Sequence, residues 1–263
     1  MKKTLFFIIA VITGYTTAFS QVSILWASRY TGSGANLDRA ADIALDASGN
    51  VYVTGSGWDA VSATFNYVTV KYDNNGMQLW ATEYNGTGNG LDEARAIAVD
   101  DATGNVYVTG WTYASATRSY DYGTVMYNSL GVQQWATRYN NNDGIDDGYD
   151  IVVDASGNCY VTGGSDANNM GTGTGQDYAT VKYNNLGVQQ WATRYSNLAS
   201  ANIDVAYAIA LDASNNVYVT GASRRTGTDF DYATIQYDNA GVQQWVRRYN
   251  NGAMNGDDEA HSI

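Results

Sequence analysis

Four copies of one decapeptide carry the residues best suited to chemistry: "DASGNVYVTG" at 46–55, "DATGNVYVTG" at 101–110, "DASGNCYVTG" at 154–163 and "DASNNVYVTG" at 212–221. An acid, a glycine and an amide within five residues could form an oxygen-ligand loop for a divalent cation. Three features argue for a hairpin turn instead. The second copy places one more residue between its acid, Asp100, and Asn105 than the first places between Asp46 and Asn50, and a coordination loop fixes its ligands by spacing. Gly49, Gly104 and Gly157 give way to Asn215 in the fourth copy, the substitution expected where the backbone needs positive φ. The terminal bidentate glutamate of a calcium loop is missing. Asp46, Asp100, Asp154 and Asp212 are therefore expected to accept hydrogen bonds from turn amides.

A second acid also recurs. Asp38, Asp92, Asp146, Asp204 and Asp258 each stand five residues before an isoleucine. They could form a ring of carboxylates around a channel mouth, a candidate cation site, or they could tie loops to backbone amides. Glycosidase chemistry asks for two carboxylates in unlike environments, and a repeated acid supplies only like ones. The single cysteine, Cys159, replaces a valine of the sister copies and reads as a small buried hydrophobe. The single histidine, His261, stands near the end, which leaves little basis for a histidine metal site or a nucleophile pair. No catalytic residue and no cofactor is assigned.

These residues are set by a repeat. Trp26, Trp80, Trp135, Trp191 and Trp245 recur at about 55 residues, a period typical of blade architectures. In the second unit, "AIAVD" (96–100), "NVYVTG" (105–110), "YGTVMY" (122–127) and "VQQWATRY" (132–139) read as strands. No sustained helical period interrupts them. The chain is thus expected to be all-β, a β-propeller of four-stranded antiparallel blades. Both faces of the strands are apolar or aromatic, as at Val51, Tyr52 and Val53, which suits blades packed on two neighbours.

The combination "IAxDxxGNVYVTG…DYxTxxYxxxGxxxW" resembles the SBBP repeat, the seven-bladed β-propeller repeat of secreted bacterial proteins. The resemblance implies a propeller fold and an exported setting, and it supplies no catalytic residues. Four complete blades are expected between parts of a fifth: "ILWASRY" (24–30) reads as a fourth strand and "DDEAHSI" (257–263) as the start of a first. On that reading the chain is a fragment of a larger propeller.

Strand alternation puts the short, regular turns on one end of the blades and the long, dissimilar loops on the other. The dissimilar loops carry Trp58, Trp111, Tyr113, Arg118, Tyr120, Arg224, Arg225 and Phe230, residue types enriched in binding hot spots and able to stack on sugar rings. Local packing over the blade tops is the competing role for the tryptophans.

The bulk numbers bound the setting. A composition of 44% hydrophobic and 15% charged residues is that of a globular protein. Lys2 and Lys3, the apolar run Leu5–Ile12 and the small residues Ala18 and Ser20 predict a signal peptide over 1–20. The propeller domain then spans 21–263, with no membrane insertion after cleavage. A net charge of −12 disfavours nucleic acid and anionic membranes. The expected function is a non-enzymatic binding or structural scaffold outside the cell or at its surface, with a protein or glycan as partner. A glycan-active hydrolase or lyase at the channel mouth, or an architectural spacer, are the alternatives.

Overall fold

The computed structural model describes residues 25–32, 37–114, 119–142, 144–166, 175–196, 203–224, 230–250 and 257–263. The leader expected over 1–20 lies outside the described residues, as do Arg118 and Arg225.

Among the described residues sixteen strands form four antiparallel sheets, each a meander in chain order. The first holds β1 (Arg39–Leu45), β2 (Val51–Asp59), β3 (Thr64–Tyr72) and β4 (Gln78–Tyr84). The second holds β5 (Glu93–Asp100), β6 (Asn105–Ala114), β7 (Ser119–Tyr127) and β8 (Gln133–Tyr139). The third holds β9 (Asp146–Val153), β10 (Cys159–Asp166), β11 (Gln176–Tyr183) and β12 (Gln189–Tyr195). The fourth holds β13 (Asp204–Leu211), β14 (Val217–Arg224), β15 (Phe230–Tyr237) and β16 (Gln243–Tyr249). No helix occurs among the described residues. The first strands pack on one another in succession, β1 on β5, β5 on β9 and β9 on β13, so they line the hub of an open, unclosed arc of propeller blades.

Packing between blades repeats one chemistry. Each blade offers tyrosines to the aliphatic face of the next: Tyr52, Tyr67 and Tyr84 meet Ile97, Val106, Val108 and Val125, and Tyr107, Tyr122 and Tyr139 meet Ile151, Cys159, Val161 and Val181. The buried hydroxyls of Tyr67, Tyr122 and Tyr178 donate to the carbonyls of Gly123, Ala179 and Ala233 in the following blade, each at 3.2 Å. A bond of this kind adds only about 1 kcal/mol, but leaving a buried phenol unpaired would cost more. The marker tryptophans latch the rim: Trp80, Trp135 and Trp191 donate Nε1–H to Ser129, Asn185 and Asn239 carbonyls at 3.1–3.2 Å.

Two sequence expectations change here. The second and third strands run further than the β-branched core suggested, so Trp58, Trp111, Tyr113, Tyr120, Arg224 and Phe230 lie on strands rather than in loops. Cross-strand pairing extends the hairpins: Trp58 faces Phe65, Tyr113 faces Tyr120 and Arg224 faces Phe230 in register. The segments expected as strands of a fifth blade, 24–30 and 257–263, carry no ladder over their described residues, 25–30 and 257–263. They sit instead by side-chain and isolated backbone contacts, among them Trp26 against Gly76 and Tyr72 and the Asp258 amide on the Phe230 carbonyl at 2.7 Å.

Among the described residues no sheet packs over the first blade's outer face; Trp26 and Tyr30 cover Val51, Val68, Val70 and Tyr72, and the hub strand is left exposed. Ile43 is 62% accessible, whereas its counterpart Ile97 is 6% accessible.

Candidate functional site at the hub

The decapeptide acids are fully engaged in their turns. Asp154 accepts the amides of Ser156 and Asn158 at 2.9 and 3.0 Å, the Asn158 side chain at 2.8 Å and the Tyr160 hydroxyl at 3.1 Å. Asp46 and Asp212 repeat the pattern with Tyr52 and Tyr218. These donors hold the carboxyls of Asp46, Asp154 and Asp212 below the usual range, against the burial that opposes them. Asp100 adapts to its extra residue by accepting from Ala102 N and the Thr103 hydroxyl. Gly49, Gly104, Gly157 and Asn215 all adopt positive φ, at 78°, 71°, 74° and 58°.

The last glycine of each decapeptide has a different task. A Cβ on Gly55, Gly110, Gly163 or Gly221 would lie 1.9–2.0 Å from the carbonyl oxygen of Arg39, Glu93, Asp147 or Val205. Only glycine admits that approach, and it occurs where the hub strand bulges.

The ring of second acids is drawn into loop anchoring. Asp92 accepts the amides of Gly86 at 2.7 Å and Tyr113 at 2.9 Å, Asp38 that of Gly32 at 3.0 Å and Asp146 that of Asn141 at 2.9 Å. Asp204 accepts from the Ser223 hydroxyl. Burial lifts Asp92 to about 6 and Asp146 to about 7. Asp38, Asp92, Asp146, Asp204 and Asp258 do not converge: among the described residues no three acid, histidine or cysteine side chains could jointly hold a metal ion. Asp38, Asp92 and Asp146 thus tie loops to backbone amides, the alternative to a cation ring that the sequence also offers.

The aromatic side chains of the dissimilar end pair within their own hairpins. Trp58 meets Phe65 edge-on at 5.3 Å, Trp111 meets Tyr120 at 4.5 Å and Tyr113 meets Tyr120 at 5.8 Å. Arg224 lies over Phe230 at 5.8 Å. These contacts fix the rings while leaving each aromatic residue half-exposed.

A denser arrangement lies on the hub strands. In each blade one residue is extra in the pairing of first and second strands: Ala41, Arg95, Tyr149 and Tyr207. A bulge re-aims its side chain out of the sheet's alternation. From the second blade onward the bulged residues of successive blades touch. The Arg95 guanidinium lies 5.0 Å from the Tyr149 ring, Tyr149 meets Tyr207 edge-on at 5.6 Å, and Tyr207 stacks on His261 at 4.8 Å.

Acids flank this run. Arg95 binds both oxygens of Asp147 at 3.2 and 3.3 Å and lies 3.9 Å from Glu93, and His261 is 3.2 Å from Glu259. Burial lifts the Asp147 carboxyl to about 6 although Arg95 opposes the shift. Both carboxylate oxygens are engaged by one guanidinium, so Asp147 fixes the position of Arg95. The run stands three residues beyond the loop-anchoring acids, at the same end of the hub as the dissimilar hairpins.

Sequence reading passed over Arg95, Asp147, Tyr149 and Tyr207 and set His261 aside. A signal was present: within the near-constant frame "D-x-(A/G)-x-x-I", the fourth position changes from Ala41 to Arg95, Tyr149, Tyr207 and His261. One variable position in an otherwise uniform strand marks a side chain that does not serve the common core.

Residues 26–60 match the SBBP family model, a beta-propeller repeat. The matched segment runs from Trp26 through β1 and β2 of the first blade, so the match includes the decapeptide turn and the first hub bulge. No curated protein matches the chain.

Among solved structures, Penicillium chrysogenum α-L-arabinanase complexed with arabinobiose is similar at 12% identity, with 80% of this chain and 66% of that chain covered and a TM-score of 0.51. A protein of unknown function from Bacteroides caccae matches at 13% identity over 82% of this chain and 62% of that one, with a TM-score of 0.44. An α-L-arabinofuranosidase of Clostridium thermocellum matches at 12% identity over 80% and 72%, with a TM-score of 0.42. The chain thus spans less than two thirds of the length of the first two. The likeness to the arabinanase is one of fold.

Proposed function

We propose that the chain is an exported, non-enzymatic binding module that contacts a glycan or protein through the hub and hairpin ends opposite the decapeptide turns. One observation carries this reading: the positions at which the SBBP-like blades differ from one another, Arg95, Tyr149, Tyr207 and His261, come into a single run of contacts at that end. Divergent residues on a rigid repeat scaffold are where recognition resides. The opposite end offers acids already saturated by their own turns. Export rests on the basic and apolar pattern of residues 1–20, and N-terminal sequencing of the protein secreted by its host should begin at Gln21.

An array of glycans and extracellular proteins, probed with the full chain, tests the reading. Binding should fall when Trp58→Ala and Arg224→Ala are combined and persist when Ser48→Ala and Ser214→Ala alter the turn end. Absence of any ligand, or the reverse sensitivity, rejects it.

Asp147 favours a second reading. Burial lifts its carboxyl to about 6, and its side chain is 12% exposed against 34% for Glu93 on the other side of Arg95; two carboxylates in unlike environments are the equipment of glycan hydrolysis. Release of reducing ends from neutral polysaccharides, lost in Asp147→Asn, would support it.

A further inference from the structure

We infer that Tyr149, Tyr207 and His261 form a track for an uncharged glycan, a reading that rests on the binding module proposed above and assigns its ligand class and its contact residues. Three independent features meet there. The rings come from three successive positions around the hub, the bulges of β9 and β13 and the segment 257–263. Because the bulges hold the backbone and the rings hold one another, the surface is preorganised, so little side-chain freedom remains to be lost on binding.

The rings are also left accessible in the right way. Tyr149 and Tyr207 are half-buried and the His261 side chain is 66% accessible, so one end of the stack faces outward. A sugar ring presents an apolar C–H face bordered by hydroxyls, and it suits an aromatic surface bordered by fixed polar groups. Here the border consists of Glu93, Arg95 and Glu259, which offer acceptors and donors at the edge of the stack, with Asp147 holding Arg95 in place.

Charge decides which glycan. Glu93 and Asp147 stand around the Arg95 guanidinium and Glu259 stands beside His261, within a chain of net charge −12. Arg95, the guanidinium of this run, is already committed to Asp147, so an anionic sugar would meet net repulsion there. The track therefore selects neutral oligosaccharides over polyuronates or sulfated chains.

Calorimetric titration of the full chain with neutral glucan, xylan and arabinan oligomers, and with an oligogalacturonate at low salt, tests the inference. At least one neutral oligomer should bind and the oligogalacturonate should not. Tyr207→Ala should weaken the neutral ligand about tenfold, the loss expected for one stacked ring. His261→Ala should weaken it several-fold with an unchanged thermal melt, which guards against a misfolded Tyr207 variant; Ser214→Ala at the turn end should leave it unaltered. Neutral binding that ignores both hub variants overturns the track and leaves the binding module standing. Binding confined to polyuronates or proteins overturns the ligand class alone. No binding to any of these or on the array overturns both readings.

Discussion

The Asp150 carboxylate accepts the amide of Ile151, its neighbour in sequence, at 2.8 Å and the amide of Ile209, on the hub strand of the next blade, at 2.9 Å. Asp42 joins Ile43 and Ile97 in the same way. The acid alternates with alanine, Ala96 and Ala208, so each bridging carboxylate meets a partner strand with none. First and second blades are riveted, as are third and fourth, and the middle junction is spanned by Arg95 and Asp147.

Asp150→Ala leaves two hub amides without this acceptor. The expected loss is about 2 kcal/mol, the cost of leaving buried donors unpaired, measured by urea denaturation. Asp150→Asn keeps one acceptor and should lose less. Equal stability of all three proteins would show that the bridge does not hold the junction.

Stability should fall as pH rises from about 4 to about 7. Asp92, Asp147 and Asp150 are lifted by burial to about 6 and Asp146 to about 7. A carboxyl whose folded pKa exceeds its unfolded value contributes stability below the unfolded pKa and loses it as pH passes the folded one. Asp46, Asp154 and Asp212 have lowered values, and their contribution disappears on further acidification. Melting temperature should thus peak in mild acid, and a curve that rises steadily to neutrality would contradict these shifts.

Gly187 has φ 75° and lies under the Trp135 ring, where a Cβ would come within 2.7 Å of the indole. Gly187→Ala combines backbone strain with displacement of the latch, at a cost of about 2 kcal/mol or more. Trp135 fluorescence should shift as the indole loses its bond to Asn185.

Asp154→Ala should cost about 2 kcal/mol, because turn amides and the Tyr160 hydroxyl lose their acceptor. Asn215→Gly should change stability by less than about 0.5 kcal/mol, since glycine reaches positive φ freely. Calcium and chelator should leave the melt in place. A calcium-dependent rise would show that the carboxylates serve an ion instead of the turn.

The repeat, the all-β class and the turn chemistry were legible because each rests on local rules: strand alternation between turns, and a glycine replaced by asparagine where φ is positive. The hub run was hidden because it depends on register. Arg95 reads as an ordinary strand residue until the pairing of β5 with β6 slips between Ala94 and Ala96. The hairpin aromatics were misplaced in loops for a related reason, since cross-strand partners such as Trp58 and Phe65 extend a strand that composition alone would end. Asp42 and Asp150 escaped notice because alternate blades carry alanine there, which obscures a role shared by pairs.

The most direct test of the hub end as the contact surface is an NMR titration of the isotope-labelled chain with the strongest ligand from the array. Backbone amides at 93–97, 147–151 and 205–209 should shift, together with the hairpin ends around Trp58 and Trp111, while the turns at 46–50, 100–105, 154–158 and 212–216 stay in place. Shifts confined to those turns, with the hub strands unchanged, would contradict the account.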